Sequence, residues 1–230
     1  MGSTRLPGKV LADIAGKPMI GRVLDRVDRI PEIAETVVAI PDLEDDDELD
    51  HAIRGLGHRV VRGSAADVLD RYRLAAERTS AEAVMRITAD CPLLSPTICS
   101  RVVGVFEQDD VDYASNTLER TFPRGLDTEV VRGDALEVAA REATAASERE
   151  HVTPFVWSRP DRFRLRSVTG VPNRATLRWT VDTPADLEFV RAVYGELGDE
   201  SFESDAVIAL LDRRPEIGQI NAGVEQKPIR

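Results

Sequence analysis

The chain has 230 residues, 42% of them hydrophobic, and a net charge of −11 at neutral pH. Its length suits one α/β domain or two small ones, and its acidic balance argues against nucleic acid or an acidic membrane surface as the main partner. The two cysteines, Cys91 and Cys99, fit neither a disulfide framework nor a zinc site, because no histidine lies nearby. No apolar run reaches membrane-spanning length, so we predict a cytoplasmic protein.

The first eleven residues predict a loop that holds a phosphate group. They combine glycines, hydroxyl donors and cations, which together can surround an anion: Gly2, Ser3, Thr4, Arg5, Gly8 and Lys9. The loop differs from a Walker A loop because Val10 stands where a magnesium-binding serine or threonine is required. Lysine occurs only at positions 9, 17 and 227, which favours a specific need for the ammonium of Lys9. The alternative is a solvated basic tail.

Amphipathic and β-branched segments alternate along the first hundred residues. The spacing predicts helices over 18–30, 44–56 and 67–78, and strands over 36–40, 58–61 and 83–87. This alternation predicts an α/β fold with a mostly parallel, Rossmann-like sheet and helices on both faces. Ligands then bind beyond the carboxyl ends of the strands.

Two aspartates stand where predicted strands end. Asp90 follows the strand at 83–87, and Asp182 ends a predicted strand that begins at Arg178. Magnesium that bridges phosphate oxygens needs only one or two protein carboxylates, because phosphates and waters complete its octahedron. We therefore predict that Asp90 and Asp182 hold Mg²⁺ in one cleft. The alternatives are a turn or capping role for Asp90, and an N-cap role for Asp182 or Thr183.

The region from about 116 to 180 has a different pattern and predicts a lobe that covers an acceptor substrate. Arg124 suits a two-point grip on a carboxylate. Three further polar residues suit hydrogen bonds to sugar hydroxyls or a role as base: Asp127, Glu129 and His151. For His151, a hydrogen bond to its neighbour Glu150 at a helix start is an equally good interpretation.

Six motifs occur in order along nearly the whole chain. They are residues 2–11 (GSTRLPGKVL), 62–64 (RGS) with 67–72 (DVLDRY), 86–93 (RITADCPL), 122–130 (FPRGLDTEV), 149–154 (REHVTP) and 180–187 (TVDTPADL). Together they resemble the spore coat polysaccharide biosynthesis branch of the cytidylyltransferases, which is similar to the CMP-sugar synthetases that activate sugar acids. The resemblance also implies the nucleotide-diphospho-sugar transferase fold and a single nucleotidyltransferase domain over residues 1–230.

The resemblance implies that CTP and a sugar acid react to give a CMP-sugar and pyrophosphate, with Mg²⁺ as cofactor, in surface or spore-coat polysaccharide biosynthesis. By matched motif, the resemblance assigns Arg5 and Lys9 to the triphosphate and to catalysis. It assigns Asp90 and Asp182 to the metal. The nucleotide base is expected near the first loop and around Ala39 and Asp42. A homodimer is considered as the assembled form, with no nucleic acid or membrane partner.

Two other functions stay open on the sequence. A metal-dependent glycosyltransferase of similar fold needs an Asp-x-Asp pair after a strand, whereas the available acids, at 110–112 and 45–47, precede a strand or begin a helix. A non-catalytic nucleotide-binding protein is the other alternative. Pyrophosphate release from CTP, compared with turnover of UDP-sugars, separates these functions.

The related family begins with a strand just ahead of its first loop, whereas here Met1 directly precedes Gly2. Either the sequence starts at an internal methionine of a longer reading frame, or the family's first strand has been lost, and in both cases we expect that strand to be missing here. In a doubly wound sheet that strand lies between 36–40 and 83–87, so its loss predicts a slot roughly 10 Å wide. A poorly anchored loop and low activity would follow.

Overall fold

The computed structural model describes residues 5–198 and 201–226. The strands are β1 (Asp13–Ile14), β2 (Lys17–Pro18), β3 (Val37–Pro41), β4 (Arg59–Gly63), β5 (Ala83–Arg86), β6 (Tyr113–Ser115), β7 (Glu129–Arg132) and β8 (Leu165–Ser167). The helices are α1 (Met19–Val27), α2 (Asp47–Gly55), α3 (Val68–Thr79), α4 (Pro96–Gln108), α5 (Gly133–Glu142), α6 (Ala146–His151), α7 (Pro154–Trp157), α8 (Pro184–Leu197), α9 (Ser204–Arg213) and α10 (Pro215–Gln219). Short 3₁₀ helices, Lys9–Leu11 and Glu44–Asp46, precede β1 and α2.

Parallel and antiparallel strands are combined in the sheets. β3 pairs in parallel with β4, from Val37 opposite Arg59 to Pro41 opposite Gly63. A second sheet has the order β5-β7-β6-β8, in which β6 and β8 are parallel and β7 is antiparallel to both neighbours. The predicted α/β class with parallel strands is confirmed, although the pairing is more mixed than the sequence predicts. β7 reverses direction because the 116–128 connection has no crossover helix, which a parallel neighbour needs.

The strand that the sequence predicts at 178–181 does not form among the described residues. Arg178 makes only an isolated bridge to Arg124. Arg178, Trp179 and Val181 are all buried, so the apolar residues of this segment reflect its burial and not strand pairing. Asp182 therefore ends an extended segment and not a strand.

Helix α1 packs against both sheets. Ile20 of α1 belongs to an apolar cluster with Ile40 of β3, whereas Val23 of α1 belongs to one against which Met85 of β5 packs. Within 5–198 and 201–226, β3 pairs only with β4 and β5 pairs only with β7. No ladder therefore joins β3 to β5 in that range. The width of the expected slot stays a prediction.

A buried apolar cluster fixes the segment that leads to Asp182. Trp179 and Val181 pack there with Leu93, which follows β5, and with Phe189 of α8. The segment is thus held against both the loop after β5 and the last long helices. No helix in the described part of the chain is long and apolar enough to cross a membrane.

Candidate active site

The turn that carries Lys9 lies beside β3 and the loop after β5. Gly8 has φ 69°, in the left-handed region that favours glycine, and the 3₁₀ helix Lys9–Leu11 follows directly. Leu11 packs in a cluster with Val38 of β3 and Ala89. Three residues of the predicted phosphate loop lie outside the described residues: Gly2, Ser3 and Thr4.

The ammonium of Lys9 binds two carboxylates from distant parts of the chain. Its Nζ donates to Oδ2 of Asp90 over 3.1 Å, to Oδ1 of Asp182 over 2.9 Å and to the carbonyl oxygen of Val181 over 2.7 Å. Burial alone would lower the pKa of Lys9, but the charges and hydrogen bonds of Asp90 and Asp182 outweigh it and raise the pKa above its ordinary value. Lys9 is therefore charged at neutral pH and joins both acids at one point.

Asp90 is held by the turn in which it lies. The hydroxyl of Thr88 donates to Oδ1 of Asp90 over 2.5 Å. The main-chain oxygen of Asp90 accepts hydrogen bonds from Val181 N–H at 2.9 Å and from the Thr180 hydroxyl at 3.2 Å. Within the described ranges the Asp90 carboxylate accepts no backbone N–H, so its side chain caps neither a turn nor a helix. These bonds join the loop after β5 to the segment before Asp182.

Asp182 lies among three cations. Its Oδ1 accepts from Lys9, and its Oδ2 lies 3.0 Å from Nη2 of Arg5 and 2.8 Å from Nη2 of Arg178. Burial alone would raise the pKa of Asp182, but the hydrogen bond and charge of Lys9, followed by the arginines, lower it. Thr183 is the N-cap of α8, so the N-cap alternative holds for Thr183 and not for Asp182. The Asp182 carboxylate is thereby left to bind cations.

Asp186 positions the groups around Asp182. It is fully buried, and its Oδ2 accepts the backbone N–H groups of Asp182 at 3.0 Å and Thr183 at 2.9 Å. Its Oδ1 accepts from Nε of Arg178 at 2.8 Å and from Asn221 at 3.0 Å. Burial would raise the pKa of Asp186, but Arg178 and Asn221 lower it. Sequence analysis missed this residue, although the capping-box spacing from Thr183 to Asp186 was available as a signal.

The oxygen atoms around Nζ fit a hard divalent cation. Asp90 Oδ2 and Asp182 Oδ1 lie within about 6 Å of each other, since that is the sum of their distances to Nζ. Carboxylate oxygens are the ligands that Mg²⁺ prefers, and it uses one or two of them when phosphates complete its shell. Among the described residues no three His, Cys, Asp or Glu side chains group as a metal site. Two carboxylate oxygens and one carbonyl oxygen thus lie together around Nζ.

A glycine allows the Arg124 loop to lie against the segment that leads to Asp182. Gly125 has φ 101°, and a Cβ added there would meet the backbone nitrogen of Thr180 at 2.6 Å. Trp179 N–H donates to the carbonyl oxygen of Arg124 over 2.7 Å. Gly125 therefore serves a close backbone approach, which fixes the Arg124 backbone beside this segment.

Two arginines of the predicted lobe differ in their partners. Arg120, which sequence analysis missed, donates from Nη1 and Nη2 to the two oxygens of Asp127, over 2.6 and 2.8 Å. The Arg124 guanidinium has no hydrogen bond or ion pair with a side chain or backbone group of the described residues. Burial, followed by the charge of Arg120, lowers the pKa of Arg124. A half-buried guanidinium beside a second cation favours an anionic ligand.

Cys91 is buried beside Asp90, with its Sγ 3.6 Å from Oδ1 of that residue. Burial, followed by the negative charges of Asp90 and Asp127, raises the pKa of the Cys91 thiol well above its usual range. The thiol is therefore held in its neutral form next to the candidate site.

Glu129, a predicted sugar ligand, belongs to a buried network. Its carboxylate accepts hydrogen bonds from Tyr113 over 2.6 Å, from the Thr153 hydroxyl and from the Arg86 guanidinium. Burial alone would lower the pKa of Arg86, but Glu129 raises it. Both Glu129 oxygens are thus satisfied within the protein, and a role in sugar binding stays a prediction.

His151 ends α6 at a strained turn. The next residue, Val152, has φ 74° and ψ −58°, and Thr153 N–H donates to the His151 carbonyl over 2.9 Å. This geometry is a γ-turn that is costly for a β-branched residue. In the described part of the chain the His151 imidazole makes no hydrogen bond, so the expected bond to Glu150 is not found there.

The residues predicted to bind the base lie on β3 and just beyond it. Ala39 is half-buried and pairs with Val61 of β4. Asp42 is exposed, and its carboxylate accepts from Nε of Arg62 over 3.1 Å. Within 5–198 and 201–226, Asp42 forms its ion pair with Arg62 and none with Lys9.

The acids that a glycosyltransferase would need are used elsewhere. Asp110 pairs with Arg132 and Arg164, and Asp112 pairs with the same two arginines. Both acids precede β6 and therefore lie at its amino end. Residues 45–47 lie in a 3₁₀ helix and the first turn of α2. Neither group of acids follows a strand.

Known proteins are similar to this chain in sequence and in structure. Residues 1–212 match the family model described as cytidylyltransferase. The chain is 31% identical to the spore coat polysaccharide biosynthesis protein SpsF of Bacillus subtilis, over 94% of this chain and 92% of that protein. A 3-deoxy-manno-octulosonate cytidylyltransferase of Geobacter sulfurreducens is 42% identical over 44% of this chain and 40% of that protein.

A solved structure is similar along nearly the whole length. It is a cytidylyltransferase from Leptospira borgpetersenii, with a TM-score of 0.90 and 28% identity, covering 99% of this chain and 95% of that one. The matched part of this chain includes the residues that converge on Asp182.

Proposed function

The chain belongs to the cytidylyltransferase family, and we propose that it transfers CMP from CTP to a hydroxyl group of a sugar acid and releases pyrophosphate. Membership of this family supports nucleotidyl transfer as the class of reaction. The sugar-acid acceptor is supported by the relative that acts on 3-deoxy-manno-octulosonate. The relative named for spore coat polysaccharide supports a surface or spore-coat polysaccharide as the destination of the product.

The observation that carries the proposal is the convergence of Lys9, Asp90 and Asp182. These residues come from three separate segments and meet within hydrogen-bond distance, with Arg5 on the outer oxygen of Asp182. A lysine on a flexible stem, an arginine and two carboxylates together suit the binding of a triphosphate and its metal ion.

In the proposed step, a sugar hydroxyl oxygen forms a bond to the α-phosphorus of CTP. The bond from that phosphorus to the leaving pyrophosphate oxygen breaks, pyrophosphate keeps the electron pair, and the hydroxyl proton is released. The protein mainly aligns the reactants and neutralises charge. Lys9, on its flexible stem, is suited to follow the charge that grows on pyrophosphate, while Arg5 binds the triphosphate beside it.

Asp90 and Asp182 would hold Mg²⁺, which would neutralise charge on the phosphate oxygens. Thr88 orients Asp90 through its hydroxyl, and Arg178 orients Asp182. Asp186 holds Arg178 from the buried side. The carboxylates are thus oriented before substrate binds, and little reorganisation is left for the reaction itself.

Arg124 is the proposed ligand of the acceptor carboxylate. Its guanidinium is half-buried, lies near Arg120 and has no partner among the described residues, so a bound carboxylate would satisfy it. Asp127, oriented by Arg120, and His151 are proposed to contact sugar hydroxyls within the lobe at 116–180. The Arg124 backbone is fixed through its bond to Trp179, which supports a defined acceptor position.

Pyrophosphate release tests the proposal. The protein, CTP and Mg²⁺ are mixed with a panel of sugar acids that includes 3-deoxy-manno-octulosonate, and with the same sugars after reduction of the carboxyl group. We expect release with a sugar acid and a loss of about tenfold or more with the reduced sugar, because a charge-assisted hydrogen bond is lost. Absence of release across the panel, or turnover of UDP-sugars in its place, would contradict the proposal.

A further inference from the structure

The Lys9 ammonium lies at the point where a metal ion bound by the same two carboxylates would lie. Its Nζ is 2.7–3.1 Å from one carbonyl and two carboxylate oxygens. Magnesium lies about 2.1 Å from its oxygen ligands. An ion that shares Asp90 Oδ2 and Asp182 Oδ1 with Lys9 would therefore be within a few ångströms of Nζ, where the repulsion between the two cations is large.

Among the residues that the structure describes, the charges of the cluster are balanced. Three cations and three carboxylates are joined by ion pairs: Arg5, Lys9 and Arg178 with Asp90, Asp182 and Asp186. A divalent ion added to this half-buried group would leave an excess of positive charge, which is costly away from water. Removal of the Lys9 charge, or arrival of a polyanion, relieves that excess.

Lys9 is better suited to move than Arg178. The Arg178 guanidinium is held by buried Asp186 and lies almost wholly within the protein. Lys9 begins a short 3₁₀ turn and carries its ammonium on a flexible four-carbon stem, so the ammonium can leave the two acids by rotation of the side chain. The chain uses lysine at only three positions, which agrees with a special need for an ammonium here.

We propose that Lys9 and a divalent cation are alternative occupants of one site, so that metal binds Asp90 and Asp182 only when Lys9 has moved onto a triphosphate. This inference rests on the proposed function for the metal and the nucleotide. Lys9 then has two positions: across the two acids without nucleotide, and on the phosphates with it. The consequence is that metal binding is weak until the nucleotide arrives.

Mn²⁺ binding without nucleotide tests this exchange. Free Mn²⁺ is measured by electron paramagnetic resonance with wild type, Lys9→Met and Lys9→Arg. Lys17→Met is the control, since Lys17 forms an exposed ion pair with Asp25. We expect Lys9→Met to bind Mn²⁺ about tenfold or more tightly than wild type. Lys9→Arg, which keeps the charge, and Lys17→Met should bind as weakly as wild type. Equal affinity of Lys9→Met and wild type would overturn the proposal.

A second measurement uses the unchanged protein and covers the case in which Lys9→Met does not fold. Reductive methylation is followed at each lysine by mass spectrometry while Mn²⁺ is increased. Labelling of Lys9 should rise in step with bound Mn²⁺, whereas labelling of exposed Lys17 should stay constant. Mn²⁺ that binds while Lys9 remains protected would overturn the exchange.

Different results would contradict the proposed exchange and the proposed function. If wild type releases pyrophosphate but Lys9→Met gains no Mn²⁺ affinity, the proposed function is supported and the proposed exchange is contradicted. A gain of Mn²⁺ affinity that is lost again in the double variant Lys9→Met with Asp182→Asn supports the exchange. That result holds even if no sugar acid releases pyrophosphate, in which case the proposed acceptor is wrong.

Discussion

Two clusters of one cation and several carboxylates lie near the carboxyl ends of the strands, and they differ in the origin of their acids. Lys9 binds acids that are 81 and 173 residues away along the chain, Asp90 and Asp182. Arg62, at the end of β4, binds acids that are only 12–20 residues away: Asp42, Asp47 and Asp50. The Lys9 side chain is 12% exposed and that of Arg62 is 24% exposed. The acids differ more, since Asp90 and Asp182 are 25% and 18% exposed, whereas Asp42 and Asp47 are 74% and 66% exposed.

This difference separates a candidate active site from a surface network. Exposed ion pairs gain little because water screens them and because two side chains lose freedom. A cation that draws distant segments together in a half-buried crevice has stronger interactions, and those segments must be held in place by the fold. The number of carboxylates around a cation is therefore a weaker sign of function than their burial and their separation in sequence.

The largest expected effect is on stability, at the buried end of the Lys9 cluster. Asp186→Ala removes the partner of the buried Arg178 guanidinium and of two backbone N–H groups, and should lower the free energy of unfolding by about 3–5 kcal/mol. Asp47→Ala in the Arg62 cluster should change it by less than about 1 kcal/mol. Urea denaturation of both variants measures this, and similar losses would show that the two clusters are equivalent.

The next effect is on activity. Lys9→Ala should reduce turnover about 10²-fold or more, the scale of losing one preorganised charge in an active site. Arg62→Ala is the matched control, because Arg62 also binds several carboxylates, and its turnover should change less than about twofold. Pyrophosphate release with saturating CTP is the measurement. A Lys9→Ala variant as active as Arg62→Ala would remove the distinction between the clusters.

Gly125 tests how the distant segments are held together. Gly125→Ala should lower the free energy of unfolding by about 1–3 kcal/mol or more, from left-handed strain and from a clash with the Thr180 backbone. Gly198→Ala is the control, since Gly198 also has positive φ but has open space around it. The difference between the two melting temperatures isolates the clash. Equal shifts would mean that strain alone matters.

The loss of folding stability at acid pH should also reflect the acids of the Lys9 cluster. The pKa values of Asp182 and Asp186 are lowered in the folded protein, so their contribution is present above the unfolded pKa of about 3.9 and is lost as pH falls through the folded values. Asp186→Asn should therefore show a shallower loss of stability between about pH 5 and 2 than wild type. Urea denaturation at several pH values checks the slope, and parallel curves would count against this linkage.

The smallest effect is expected at Asp42. Asp42→Asn should change the KM for CTP by less than about twofold, because its exposed carboxylate is engaged with Arg62. Steady-state pyrophosphate release gives the value. A rise of about tenfold in KM would support the sequence-based assignment of Asp42 to the nucleotide and would place part of the Arg62 cluster in the site.

Several features of this protein are set by local sequence patterns. The changing spacing of apolar residues indicates the helices and strands from α1 to β5. Ser95 followed by Pro96 marks the start of α4, where the Ser95 hydroxyl accepts a hydrogen bond from Ile98 N–H. The family resemblance, which rests on six motifs, is confirmed over residues 1–212. Such patterns depend on neighbours in the chain, and a sequence displays those directly.

Asp90 and Asp182 were expected in one cleft from the sequence, but only the tertiary structure decided which cations and which further acids lie with them. Asp42 and Asp90 both follow a strand in the sequence, yet one pairs with a nearby arginine at the surface and the other meets Lys9. The roles of Arg178 and Asp186 were equally hidden, because they act through Asp182 and through contacts with Asn221, which is 43 residues from Arg178 and 35 from Asp186. The physical reason is that burial and charge pairing depend on which segments the fold brings together, and a local pattern contains no information on the partner across the cleft.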